Sequence, residues 1–475
     1  MPAHKAVRQT KIVCTIGPAT ASEDKLRALI QAGLDVARLN FSHGQPESHS
    51  RIIRTIRRLS QELDRPVGIL QDLAGPKIRL GRIEEPERRI ETGQEVLLGP
   101  DHSDPQVLPV DYPYLAEDVT LGEPILLADG LIELKVQARA GANLVCRVVV
   151  GGPVSTGKGV NLPGSRLRVQ AFTAKDKADL ALGLKEEVDF VALSFIRSVA
   201  DLAPVHQIFS RLSSRPLLIA KIEKPQAVEA LDQILAQVDG VMVARGDMGV
   251  EMPLEEVPLV QKRIIRLARR AGKPVITATQ MLRSMVASPR PTRAEATDVA
   301  NAVLDGTDAL MLSEETAVGA YPIEAVAVLD RIARATEPLI KPFDYLAEER
   351  TEALPLTEAA ITRAAVGLAQ DLGAAAIVAS TTSGSTARLV ARFRPGRPII
   401  GLTPEPRTLR QLTLSWGVRP ALVESYQDTD QMLSLAGAWA SGRGLAGPGD
   451  RLVVTAGLPI GVPGNTNLLK ILELD

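Results

Sequence analysis

Short apolar runs alternate along this chain with longer segments in which apolar residues return every three or four positions. The first run, KIVCTIG (Lys11–Gly17), reads as a strand buried on both faces and is closed by Gly17-Pro18. SEDKLRALIQAG follows with a helical period, Ser22 as its expected N-cap and Gly33 as its C-cap. DVARLNFSHG (Asp35–Gly44) is the next strand, and Ile52, Ile56 and Leu59 mark the next helix. PVGILQDL (Pro66–Leu73) is a third strand, ending in Asp72. Polar residues thus gather where each strand stops. One such cluster means little, because Asn, Asp and Ser beside turns are usually caps. Repetition gives it weight.

After Leu73 the alternation lapses into short β-rich pieces (EVLLGP, PILLADGLIELKVQARAG, LVCRVVVGG) separated by Gly, Pro and Asp turns, which predict a small antiparallel β-domain over 74–169. Its last segment, GGPVSTGKGVNLPG, nearly spells a nucleotide loop through Gly152, Gly157 and Lys158. Gly159 replaces the required Ser or Thr and no helix follows, so that reading is rejected. The strand–helix pattern then resumes with FVALSFI (Phe190–Ile196) and continues through PVITATQML (Pro274–Leu282) to ALMLSEE (Ala309–Glu315). Strands beginning near 11, 35, 67, 190, 216, 240, 274 and 309 make eight βα units, the arithmetic of a (β/α)8 TIM barrel with a β-domain inserted after its third strand. The barrel would occupy 1–73 and 170–345. A join at Leu346–Leu356 leads to a C-terminal α/β domain over 346–475.

The most informative stretch is Leu217–Val250. Two apolar runs end in Lys221 and Glu223, and in Arg245 and Asp247, with Val228, Leu231, Ile234, Leu235 and Val238 at helical spacing between them. A parallel crossover brings both strand ends to one edge, so a lysine can meet two carboxylates. Taken in order, the strand ends carry Arg38, Asn40 and Ser42; Asp72; Ser194; Lys221 and Glu223; Arg245 and Asp247; Thr279; and Ser313, Glu314 and Glu315. Such a ring suits a divalent metal on oxygen ligands, with three cations, Arg38, Lys221 and Arg245, facing substrate phosphate or carboxylate. Five histidines without ligand spacing give no case for zinc.

Composition narrows the classes further. With 55 Lys and Arg against 56 Asp and Glu, the chain has no charge bias toward nucleic acid or membranes. Two cysteines cannot build a disulfide framework and fit a reducing cytoplasm, and no apolar run reaches membrane-spanning length.

KIVCTIGPA, VARLNFSHG, GPKIRLG, GKGVNLPG, LSFIRS, AKIEKP, VMVARGDMGVE, TATQML, SPRPTRAEATDVANAVLDGTDALMLS and ETAVGAYPIEAV together resemble the pyruvate kinase family over nearly the whole chain. The resemblance implies phosphoryl transfer from phosphoenolpyruvate to ADP. It implies Glu223 and Asp247 as ligands of Mg2+ or Mn2+, Lys221 at the transferring phosphoryl group, and Arg38 on its oxygens. Thr279 would position the proton donor, and Ala244, Arg245, Gly246 and Asp247 would cradle the substrate in a turn. Asn40, Ser42, His43, Arg79 and Lys158 would face the nucleotide, with the inserted domain as a β-barrel lid. A homotetramer is the family's usual assembly.

One departure stands out. Many members carry Asp-Thr-Lys-Gly-Pro-Glu where this chain reads Asp72-Leu73-Ala74-Gly75-Pro76-Lys77. A tethered ammonium at Lys77, beside Asp72, can replace a free monovalent cation, so K+-independent activity is expected. In the C-terminal domain, Thr381, Thr382, Ser383, Gly384, Ser385 and Thr386 form a hydroxyl-rich loop suited to phosphate, and Gly457–Asn467 is a second candidate. The latter lacks the Arg and Trp of some fructose-1,6-bisphosphate-activated members. The expected effector is therefore a sugar phosphate or nucleotide monophosphate: AMP, ribose 5-phosphate or glucose 6-phosphate. A metal-dependent aldolase or lyase on a similar barrel, and a non-enzymatic metabolite sensor, remain open at this level.

Overall fold

The computed structural model describes residues 7–101, 104–165, 167–340, 354–461 and 464–475. Eight parallel strands close into a barrel: Lys11–Thr15, Val36–Asn40, Gly68–Asp72, Phe190–Leu193, Leu217–Ile222, Gly240–Ala244, Val275–Ala278 and Ala309–Leu312. Closure comes from the first strand, which pairs with the second on one side and the eighth on the other. Every start lies within one residue of the expected position. Strands buried on both faces leave continuous apolar runs that are hard to mistake.

Two apolar layers hold the barrel. Outside the strands, helices such as Pro46–Glu62 bury Ile52, Ile53, Ile56 and Leu59, and Val257–Arg270 buries Ile264, Ile265 and Ala268. Inside, Val13, Val36, Leu70, Phe190, Ile219, Met242, Ile276 and Met311 fill the lumen, so it is a core and not a pore. Helix starts follow local chemistry: Thr173 with Asp176, and Thr292 with Glu295, close reciprocal capping boxes. Ser22 sits at its expected N-cap without a side-chain bond, and Gly33 at the C-cap has φ 121°. The crossover after Leu217–Ile222 differs from expectation. It is two short helices, Pro225–Glu229 and Leu231–Gln237, and Val238 is already extended.

The inserted strands, all between 74 and 169, form a six-stranded sheet and a two-stranded ribbon, where one closed barrel was expected. Pairing is antiparallel except for Glu95–Gly99 with Val107–Pro109. Isolated bridges Arg79–Gly159 and Leu80–Val110 tie the entering chain to this sheet. The hairpin joining Pro124–Leu127 to Ile132–Ala140 turns through Ala128, Asp129 and Gly130, three successive residues with positive φ.

The C-terminal unit is a five-stranded sheet. Four strands are parallel and Thr466–Glu473 is an antiparallel edge. Residues 346–353 of the expected join lie outside the described residues, and the helix Leu356–Asp371 follows. This unit closes the N-terminal end of the barrel. Leu414 joins the lumen cluster, while Asp189 receives Arg57 at 2.8 Å, Arg410 at 2.7 Å and the Ile69 amide at 2.9 Å. Gly68 has to be glycine there, because a Cβ would meet Thr413 Oγ1 at 2.7 Å and Phe190 at 2.8 Å. The opposite, C-terminal end stays open for chemistry. No helix among the described residues is long and apolar enough to cross a membrane.

Candidate active site

At the open rim the second through sixth strands bring one chain of charges together. Arg38 Nε donates to Asp72 Oδ2 at 2.7 Å and its Nη1 to Thr15 Oγ1 at 2.8 Å. Lys221 Nζ lies 3.5 Å from the other Asp72 oxygen, 2.8 Å from Glu223 Oε1, and donates to Ser194 Oγ at 2.8 Å. Ser194 in turn donates to Leu73 O at 2.8 Å, so the lysine is held from three sides. The remaining oxygen of Glu223 accepts the Phe195 amide at 2.7 Å. Phe195 reaches that geometry with φ 57°, a left-handed conformation that a bulky residue rarely takes.

The electrostatics follow from burial and contact. Burial alone would lower the Lys221 pKa, but Asp72, Glu223 and Asp247 override it and drive it upward, fixing a charged ammonium. Burial would raise Asp72, yet Lys221, Arg38 and Lys77 hold it below the usual carboxylate range. Glu223 is pushed up to about 6 by burial, with Lys221 opposing and Asp247 adding repulsion. Asp247, half-buried in the first turn of Arg245–Glu251, makes no hydrogen bond or ion pair with a described residue.

Glu223 and Asp247 are therefore mutually repelling hard-oxygen donors, one of them without a hydrogen bond or ion pair to a described residue. That arrangement fits a divalent cation whose other ligands come from substrate and water. Among the described residues no cluster of three or more His, Cys, Asp and Glu side chains is built to hold a metal unaided.

Several of the expected residues are also bonded to other protein groups. Arg245, counted as a third substrate-facing cation, has its guanidinium engaged by protein groups. Its Nη1 meets both oxygens of Asp298 at 2.8 and 2.7 Å, and it donates to Ala278 O at 3.1 Å and Thr279 O at 2.7 Å. The expected turn at Ala244–Asp247 is a strand end followed directly by a helix. Thr279, with φ 67°, accepts the Gly246 amide at 2.7 Å and donates to Ala278 O at 2.6 Å. Glu315 is buried, receiving the Leu282 and Ser313 amides.

Among the residues expected to face the nucleotide, Asn40 Oδ1 accepts the Ser42 amide at 3.1 Å and His43 is exposed. Desolvation, then Lys77, Arg79 and Arg38, lowers the His43 pKa, so these four share one basic neighbourhood. Arg79 Nη1 donates to Gly157 O at 2.9 Å, beside the exposed Lys158. Lys77 has open surface, but desolvation and then Lys221 depress its pKa, with Asp247 and Asp72 opposing. It stands among the rim charges.

The two candidate effector segments meet. Residues of both segments, among them Thr382, Ser383, Ser385, Gly457, Gly461 and Asn465, line one cavity of about 30 Å3 with Tyr426; residues 462–463 lie outside the described residues. Thr381 accepts the Gly384 amide at 2.9 Å, Thr386 bonds Thr466 at 2.7 Å and Ser383 donates to Ser385 at 3.3 Å. No lysine or arginine lines the cavity among the described residues.

Contacts that sequence reasoning missed include Thr15 behind Arg38, Asp298 behind Arg245, and the group Asn161, Lys224 and Glu251. None has a local sequence signal.

Comparison with known proteins agrees with this architecture. The family "Pyruvate kinase, barrel domain" matches residues 7–326, and "Pyruvate kinase, alpha/beta domain" matches residues 359–472. "Pyruvate kinase 2" of Synechocystis sp. is 48% identical over 471 residues, 98% of this chain and 79% of that protein. "Pyruvate kinase" of Geobacillus stearothermophilus is 45% identical over 469 residues, 98% of this chain and 80% of the relative. That of Staphylococcus aureus is 45% identical over 474 residues at the same coverage.

Proposed function

The chain belongs to the pyruvate kinase family, and from that premise we propose how its rim moves the phosphoryl group of phosphoenolpyruvate to ADP. The observation that carries the reading is Lys221 clasped between Asp72 and Glu223, with Arg38 on the far oxygen of Asp72. Phosphoryl transfer needs positioning and charge neutralisation more than covalent help. Glu223 and Asp247 would hold Mg2+ or Mn2+, which would supply Lewis-acid neutralisation of the substrate's negative charge. Arg38 and Lys221 meet the transferring group from the protein side.

The substrate carboxylate lies at the start of Arg245–Glu251, against Ala244, Arg245, Gly246 and Asp247, where first-turn amides lack helical partners. As the bond from the enol oxygen to phosphorus breaks, one forms from an ADP β-phosphate oxygen, and the electron pair stays as an enolate. A proton then joins the methylene carbon to give pyruvate. The Thr279 hydroxyl already bridges Gly246 and Ala278, so it fixes the cradle and orients the proton donor. Asn40, Ser42, His43, Arg79 and Lys158 face the nucleotide phosphates, and the inserted domain excludes the water that competes with ADP.

Lys77 among Asp72, Asp247 and Lys221 supports a built-in cation and activity without K+. The hydroxyl- and glycine-rich loop Thr381, Thr382, Ser383, Gly384, Ser385 and Thr386 supports a subsite for the phosphate of an effector such as AMP, ribose 5-phosphate or glucose 6-phosphate, bound through hydroxyls and backbone amides. A homotetramer in the cytoplasm belongs to the same reading, and the buried free thiols of Cys14 and Cys146 fit a reducing compartment.

The test is pyruvate formation from phosphoenolpyruvate and Mg2+ with and without ADP. ATP and pyruvate in equal amounts, only with ADP, are expected; release without ADP would overturn the assignment in favour of a lyase or phosphatase. Saturation curves unchanged by all three monophosphates would remove the effector.

A further inference from the structure

Glu251 lies outside the expected rim set, yet three parts of the rim converge on it. It follows Asp247 by one helical turn on the same face of Arg245–Glu251. Its Oε1 receives Lys224 Nζ at 2.6 Å, and Lys224 is the residue directly after Glu223. The same oxygen receives Asn161 Nδ2 at 3.2 Å from the inserted domain. Both members of the ion pair are buried, at 9% and 5% exposure, and Glu251 Oε2 is buried with no hydrogen-bond partner among the described residues. Lys224 also stands 5.7 Å over the ring of Phe195, whose amide holds Glu223. A second contact reinforces the first: the left-handed turn at Gly130 of the inserted domain comes against Val250.

We propose that Lys224 and Glu251 are positioning residues that fix the separation of Glu223 and Asp247, and that Asn161 docks the inserted domain on the same carboxylate. The inference rests on the metal-ligand reading above. The pair bridges the ends of the fifth and sixth strands one residue from one ligand and one turn from the other. A shift there re-aims both carboxylates. Because Asn161 shares the oxygen that Lys224 uses, the seating of the inserted domain and the geometry of the carboxylates are set at one atom. Buried charge makes the arrangement stiff, since neither partner can leave without stranding the other.

The experiment measures Mn2+ dissociation constants of the full chain by water-proton relaxation without substrates, beside steady-state kinetics. Lys224→Met should weaken Mn2+ about tenfold, the usual effect of losing a partner behind a metal ligand. Asn161→Ala should leave Mn2+ binding within threefold and raise the KM for ADP more than threefold. If Lys224→Met stays within threefold of wild type, the positioning role is overturned; if Asn161→Ala leaves the ADP KM within threefold, docking is overturned. Lys224→Met/Glu251→Met removes both charges and keeps the chain foldable. It should retain the Mn2+ defect, and recovery of wild-type affinity would show the pair to be packing alone and overturn the proposal. Glu223→Gln, measured in parallel, separates the two readings. Wild-type affinity in that variant overturns the ligand assignment and this inference with it, whereas a loss there without one in Lys224→Met overturns only the inference.

Discussion

Replacing Lys221 with Met tests the charge arrangement most directly. The substitution keeps the buried aliphatic stem and removes an ammonium 2.8 Å from Glu223 and 3.5 Å from Asp72. A unit charge about 4 Å from charge developing on the phosphoryl oxygens contributes about 4 kcal/mol at an effective dielectric constant near 20. That corresponds to about three orders of magnitude in rate. The loss should fall on kcat, with the KM for phosphoenolpyruvate changed less than about tenfold, because the charge matters most where the transferring group is loosest. Mn2+ affinity should not weaken, since Glu223 is released from its ion pair. Stability without divalent ion should fall by about 3–5 kcal/mol, as buried Asp72 and Glu223 and half-buried Asp247 lose a shared counter-charge. Saturating Mg2+ should return about 2.7 kcal/mol at one hundred times its Kd. The assays are pyruvate formation coupled to a dehydrogenase and urea melts with and without Mg2+. A kcat within tenfold of wild type, or a loss confined to KM, would refute the reasoning.

Turnover should be equal in K+ and tetramethylammonium buffers, and Lys77→Glu should make it rise about tenfold or more with K+; strong K+ activation of the wild type would sink the tethered-cation reading. Leu414→Ala should cost about 2–5 kcal/mol in urea denaturation, because the side chain completes the lumen core. Its kcat should be unchanged, since the plug is at the end away from the rim; a cost below about 1 kcal/mol would contradict the packing. Lys11, bonded to Val418 O at 2.7 Å, has its pKa lowered from 10.5 to about 8, first by burial. The unfolded chain therefore holds that proton more tightly, and stability rises with pH between the two values by about 3 kcal/mol. The difference in stability between wild type and Lys11→Met should shift by that amount in favour of wild type from pH 7.5 to 10.5. A difference flat with pH would show that burial does not perturb this lysine.

The barrel was legible because its signals are local. A strand covered on both faces has to be apolar residue after residue, and a crossover helix repeats its buried positions within a few turns. The lapse after Leu73 marked the insertion for the same reason. What escaped is nonlocal. Arg245 and Asp298 lie 53 positions apart, and Asn161 and Glu251 lie 90 apart. No periodicity announces either pair. Leu414 reads as an ordinary apolar residue of the C-terminal unit until the sheet above it places it in the lumen. Backbone conformation escaped too. Phe195, Thr279 and Gln280 all take positive φ at the rim without a glycine to flag the turn.

The redirection of Arg245 changes the weight of the remaining charges. The expected ring had three cations, Arg38, Lys221 and Arg245, and Lys77 was only a substitute for a free ion. With Arg245 bound to Asp298, Arg38 and Lys221 alone would face Asp72, Glu223 and Asp247. That leaves an excess of one negative charge before an anionic substrate arrives, which opposes binding it. Lys77 restores three against three, and the divalent ion then supplies the positive excess that the phosphates require. On this count Lys77 balances the resting site, a role separate from the proposed replacement of potassium. Lys77→Met, which removes the charge without adding a carboxylate, should therefore raise the KM for phosphoenolpyruvate about tenfold even in saturating K+. An unchanged KM in that variant would return Lys77 to the solvated surface.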